Sequence, residues 1–344
     1  MNYYCRMKKI LSLLVVVVGL WGCGKDEEEK CVFVPDVSGL AVEVTLEQLQ
    51  DSLVNVKSKP QLIGLLSRQP VIRDYVLRRP DYPNDSAFVN DIFNRLTNPH
   101  LDSLARETEI VFGDGSELKS EFKEAFTNLK YYYPDFTPPK VQTVITGLMG
   151  SDLFVSDTLI VVSLDFFLGP AAKYRPQVYD YILRQYKKDN IVPSCMLIYG
   201  ISDRFNKTNL TDKTVLADMI AYGKSFYFAK RMLPCVPDSV FIWYTPKEIE
   251  GSKTNQDLIW ARLIQDDVLY STSHLIKQKY LGERPKTIDV GPECPGRIAQ
   301  WVGWQIVNAY MEEHPNISLP KVMANDNARK LLEESNYTSR LRPH

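Results

Sequence analysis

Four histidines are available for metal or acid–base chemistry in this chain: His100, His274, His314 and His344. No two of them stand at i, i+4, and none lies in an H-E-x-x-H helix. The three-ligand set of a catalytic zinc is therefore not assembled by local spacing. There is no G-x-S-x-G nucleophile elbow, no phosphate loop of the G-x-x-x-x-G-K-[ST] type and no G-x-G-x-x-G turn. Gly113-Asp114-Gly115-Ser116-Glu117 lacks the alternating oxygen ligands of a calcium loop, and reads as a helix-starting turn capped by Ser116. What remains is polar residues set into apolar helices. Asp218, Tyr222 and Ser225 share one helical face, and Arg297, Gln300, Trp304 and Asn308 share another. Buried polar groups need partners, so an Asp–Arg pair between packed helices is one expectation and a polar ligand pocket is the other.

Cys23 carries a different chemistry. Lys8 and Lys9 precede an apolar run from Ile10 to Trp21, about the length of a signal-peptide core and short for a bilayer span. Met7 is the expected true start. The run closes with Leu20-Trp21-Gly22-Cys23, which resembles the lipobox of bacterial lipoproteins. That resemblance implies a diacylglycerol on the Cys23 sulfur, cleavage before Cys23 and acylation of the new amino group. Trp21 departs from the usual small or β-branched residue. The next residues, Lys25-Asp26-Glu27-Glu28-Glu29-Lys30, form a solvated spacer. They also resemble the acidic run of Bacteroidota lipoproteins that reach the outer face of the outer membrane. Outer-membrane attachment is expected, with surface display preferred and a periplasm-facing position as the alternative.

Removing residues 1–22 takes away Arg6, Lys8 and Lys9, and moves the formal charge from −1 to about −4. No basic stripe marks a nucleic-acid footprint. No second apolar run approaches a membrane span, so the lipid is the expected anchor. Besides Cys23, the mature chain has Cys31, Cys195, Cys235 and Cys294. An exported compartment permits disulfides, but three pairings are open, and buried free thiols are the preferred reading.

The elements that must position these residues follow from periodicity. Residues 23–44 read as a lipidated tether and 45–344 as one globular domain. Within it, 45–135 is helical: Thr45 with Gln48 reads as a capping box, and Leu46, Leu49, Leu53 and Val56 keep helical spacing. Further helices are expected at 59–67, 70–78, 85–97, 99–111 and 116–131. The period then changes at 138–166, where 141–145, 153–155 and 158–164 read as strands, the last two joined through Ser156-Asp157. Helices resume over 167–340, at 177–189, 190–204, 212–232, 245–270, 272–280, 295–313 and 325–335. The expected class is α+β, mainly helical, with a small central sheet between two helical blocks. Gly303 sits mid-helix in an apolar run, where it costs about 1 kcal/mol against Ala. That cost points to close approach of another backbone.

Several segments together resemble a known family. They are Leu216-Ala217-Asp218-Met219-Ile220-Ala221-Tyr222-Gly223-Lys224-Ser225-Phe226, Trp243-Tyr244-Thr245-Pro246, and the run from Pro292 through Pro295-Gly296-Arg297-Ile298-Ala299-Gln300-Trp301-Val302-Gly303-Trp304-Gln305-Ile306-Val307. With the lipidated Cys23 they resemble the gliding-motility lipoprotein GldB family of Bacteroidota, most strongly over about 160–340. This family is distantly similar to gluzincin zinc peptidases, which implies a degenerate peptidase-like architecture. In this chain the corresponding helix, from Asn190 to Tyr199, has no His, and Tyr222 stands where the later Glu ligand is expected. The resemblance thus implies a non-enzymatic protein with no cofactor. It would be anchored to the membrane through lipid and would bind an envelope protein or peptide in a groove lined by Asp218, Tyr222, Arg297, Gln300 and Trp304. The alternatives are a metal-independent hydrolase in the same cleft and a surface-exposed ligand-binding lipoprotein.

Overall fold

A computed structural model describes Cys31 and residues 33–341. The signal segment, Cys23, the acidic run and His344 lie outside the described residues. The chain is mainly helical, with one four-stranded mixed sheet in the order β1-β2-β4-β3: β1 (Leu46–Gln48), β2 (Lys140–Val144), β3 (Leu153–Val155) and β4 (Leu159–Ser163).

β2 and β4 are parallel, with Val141 opposite Ile160, and β3 returns antiparallel with Phe154 opposite Val161. The 158–164 run is apolar on both faces because both faces are covered. Ile160 and Val162 face the larger core, whereas Val161 faces a second, smaller one. The smaller core is built by the early helices, including Lys59–Arg68, Asp85–Leu96 and Leu101–Phe112, through Leu62, Phe88, Ile92 and Leu104. Ser116–Tyr132 belongs to the other side: Phe122, Phe126 and Leu129 join the large core with the C-terminal helices.

The sheet has one strand more than its 138–166 block supplies. Leu46–Gln48 is not the first turn of a helix but β1, parallel to β2 with Leu46 opposite Val141. The helix starts only at Gln50. Buried Val42 and Val44 followed by Leu46 alternate with period two, and this edge-strand signal outweighs the Thr45–Gln48 spacing. Other expectations change. Ser116 does not cap its helix: Gly115 stands at the N-cap with no side-chain cap, and the Asp114 carboxylate accepts from the Ser116 amide. Only Asp180–Leu183 and a short 3-10 turn at Lys188–Asn190 form within 177–189, because Lys187 bridges back to Leu168 and extends the chain. The 245–270 segment is broken at Asn255, which ends Pro246–Thr254 and starts Gln256–Gln265.

The loop after β2 is held by a buried acid. Asp165 accepts from the amides of Thr146 (3.2 Å) and Leu148 (2.6 Å). Burial pushes its carboxyl above the ordinary range while these amides oppose that shift. Cys31 and Cys235 form a disulfide, which corrects the preference for free thiols; Cys195 and Cys294 are free.

Candidate functional site

The candidate residues sit on two helices that cross. The central helix, Val215–Met232, starts at Thr214, whose hydroxyl accepts from the Ala217 amide. The crossing helix is Ile298–Glu313. Gly223 and Gly303 mark where they meet. A methyl group on Gly303 would lie 1.9 Å from the Met219 carbonyl oxygen, and one on Gly223 would lie 2.3 Å from the Gly303 carbonyl oxygen. The mid-helix glycine is there for backbone approach, as its cost in propensity suggested.

The Asp218–Arg297 pair does not form. Asp218 accepts from Lys277 Nζ at 2.7 Å, on the helix His274–Tyr280. Tyr222, one turn on, is 37% exposed. Ser225 turns inward and donates to the Leu197 carbonyl at 2.8 Å. Trp304 is buried, stacked on Phe226 with ring centroids 5.1 Å apart and edge-on to Phe241, so it is a core residue.

Arg297 and Gln300 work together on another segment. Arg297 is the N-cap of the crossing helix, in a left-handed conformation with φ 59°, and it is buried. Its guanidinium donates to the Ile242 carbonyl, lies 3.3 Å from the Glu283 carboxylate, and covers the Trp243 ring at 4.5 Å. Trp243 is itself left-handed at φ 58°. The next residue, Tyr244, donates its hydroxyl to the Gly296 carbonyl. Gln300 donates to the Leu281 carbonyl at 2.7 Å. Burial lowers the Arg297 pKa, and Glu283 opposes that by favouring the charged form. Two non-glycine residues with positive φ, joined by one stacked guanidinium, mark a buried polar junction of the large core. Beside it, Arg184 pairs with Glu248 at 2.6 Å, and Glu248 also completes the capping box of Thr245.

Residues the sequence did not single out complete this picture. Lys224 is buried in the central helix and donates to three carbonyls: Lys207 (2.7 Å), Met323 (3.2 Å) and Asn325 (2.8 Å). Burial pulls its pKa down to about 8. A lysine inside an apolar helix was the available signal. Glu283 and Arg184 had none, because their partners are remote in sequence.

Chemically, these are ion pairs and hydrogen bonds, while the indole N–H groups of Trp243 and Trp304 and the Asn206 Oδ1 are buried without a hydrogen-bond partner. The Cys195 thiol is buried and its pKa is pushed up, which disfavours a thiolate nucleophile. Among the described residues there is no group of three or more His, Cys, Asp or Glu placed to hold a metal ion. The helix Ile191–Ile201 packs tightly on the central helix: a methyl on Gly200 would lie 2.8 Å from the Ser225 carbonyl oxygen. Asn206 bridges the same pair of helices, donating to the Gly200 (2.8 Å) and Ala221 (2.9 Å) carbonyls.

A family model described as gliding motility protein GldB matches residues 30–339. No curated protein and no solved structure matches the chain. Among the described residues no helix is long and apolar enough to cross a membrane. The matched span takes in the sheet, both crossing helices and the Arg297 junction, and the chain therefore belongs to the GldB family of gliding-motility lipoproteins, membrane-anchored proteins of the cell envelope.

Proposed function

We propose that this chain is a non-catalytic, lipid-anchored binding or assembly component of the envelope or gliding-motility apparatus, with Cys23 as the lipidated residue. The observation that carries the reading is the surface at the meeting of Ile191–Ile201 and the central helix. A catalytic cleft would open there in a peptidase-like fold. Here the buried Asn206 ties the two backbones together, and Ile198 and Ile201 on one helix and Tyr222 on the other are exposed. Apolar and aromatic side chains with a charged pair at the rim, Asp218–Lys277, suit a protein or peptide partner better than a reaction. Arg297 and Gln300 then act structurally, by holding Ile242, Leu281 and Glu283 to the start of the crossing helix.

The test is complementation of a deletion strain. The wild-type gene restores surface spreading, whereas Ile201→Asp with Tyr222→Asp leaves membrane abundance unchanged and abolishes spreading. Full spreading by the double variant would sink the reading. Protease treatment of intact cells decides the side of the outer membrane, since only surface display exposes the domain to cleavage.

A further inference from the structure

The disulfide ties the start of the domain to one end of the central helix. Cys31 is bonded to Cys235, just beyond the C-terminal end of the central helix. If the lipid is on Cys23, as proposed above, only residues 24–30 separate the anchor from this bond. Eight residue steps at full extension reach about 28 Å. Without the bond, the first firmly buried residue after the tether is Val42, and nineteen steps would reach about 65 Å. The crosslink therefore changes a long leash into a short one and selects the Cys235 end of the molecule.

That end is built unlike an ordinary solvated surface. Phe33 and Val34, directly after the disulfide, are 62% and 61% exposed. The Phe33 ring lies under the Arg231 guanidinium at 4.0 Å, and Arg231 bonds the Tyr227 hydroxyl. Tyr132 faces Arg231 as well and meets Tyr131 edge-on, with centroids 5.0 Å apart. Tyr131 in turn lines a shallow cavity of about 340 Å³ with Asp36, Leu40, Lys130 and Pro134. Exposed apolar residues interleaved with tyrosines, lysine and arginine are the composition that settles at a bilayer interface, where rings reach the headgroup level and cations meet phosphates.

We infer that the surface formed by Phe33, Val34, Leu40 and Tyr131 rests on the phospholipid headgroup layer of the membrane that holds the anchor. The occupant is the bilayer and not a protein, because the tether ends at this patch and holds it within about 28 Å of the membrane. The Ile201–Tyr222 surface is then left to the partner.

The experiment uses the full lipidated mature chain in vesicles of phosphatidylethanolamine and phosphatidylglycerol, followed by amide hydrogen exchange. Its reference is the unlipidated Cys23→Ser chain free in solution. On vesicles, amides in 33–41 and 130–134 exchange about five-fold or more slowly, while those in 101–112 are unchanged. Phe33→Glu with Val34→Glu, both at exposed positions, removes the protection although the anchor remains. Cys31→Ala with Cys235→Ala removes it as well. Equal exchange on vesicles and in solution, or slowing confined to 198–222, overturns the inference. The mass of the N-terminal peptide from the same digest reports lipidation. An unmodified Cys23 on a membrane-bound chain would overturn the anchor reading and this inference with it, whereas a lipidated chain without protection overturns the inference alone.

Discussion

Gly223 and Gly303 touch backbone to backbone, so that a methyl added to Gly223 would fall 2.3 Å from the Gly303 carbonyl oxygen. Nothing flexible can move aside, because the obstacle is a main chain inside a packed core. Gly303→Ala is therefore expected to destabilise the domain by about 3 kcal/mol, although alanine favours an isolated helix. Equilibrium denaturation by urea checks this. Unchanged stability would mean that the helices do not cross where described.

Arg297 is the second test of the core. Arg297→Met keeps the length of the side chain but leaves the Ile242 carbonyl without its donor and Glu283 without its cation. Breaking a buried pair from one side costs about 3–5 kcal/mol, and the upper part of that range is not expected, since Glu283 is partly exposed. Arg297→Lys is expected to fail almost as badly, because an ammonium cannot stack on Trp243 and reach both acceptors. Thermal melts of the three proteins order the effects.

Lys224 holds three carbonyls from two segments, Lys207 on one and Met323 and Asn325 on the other. Lys224→Met removes all three bonds and should destabilise by about 2–4 kcal/mol. Hydrogen exchange is expected to rise first around 319–327. Uniform acceleration across the molecule would argue against a local clamp.

Glu121 gives a pH signature. Burial first, then repulsion from Asp189 and Glu117, pushes its pKa up from 4.5 to about 7, against the pull of Lys188. A carboxyl raised in the folded state contributes stability that is present below its unfolded pKa and lost as pH rises through the folded value. Stability should therefore fall between about pH 4.5 and 7. Glu121→Gln should flatten that stretch and gain about 1–2 kcal/mol at pH 8, after allowance for solvent. Parallel urea titrations of both proteins across this range measure it.

The long helices and the strand pair around Ser156-Asp157 were legible because their signal is local: periodicity, caps and prolines within a few residues. Leu46–Gln48 was misread for the same reason. Its spacing fits a helix, and only the edge of β2, some 95 residues away, offers the ladder that makes it a strand. The groove residues were chosen by helical face, and face alone cannot say what stands opposite. Asp218 found Lys277, Arg297 found Glu283, and Trp304 found Phe226.

By itself the sequence determined the helical class, the family and the glycine at a close helix contact, since each is written in contiguous residues or in composition. Only the tertiary structure decided that Cys31 joins Cys235 across 204 residues and that Lys224 clamps two distant loops. It alone also decided that the polar stripes are divided between a buried junction and an exposed face. Pairings of this kind depend on which surfaces meet when two cores close around one sheet, and no local pattern encodes that.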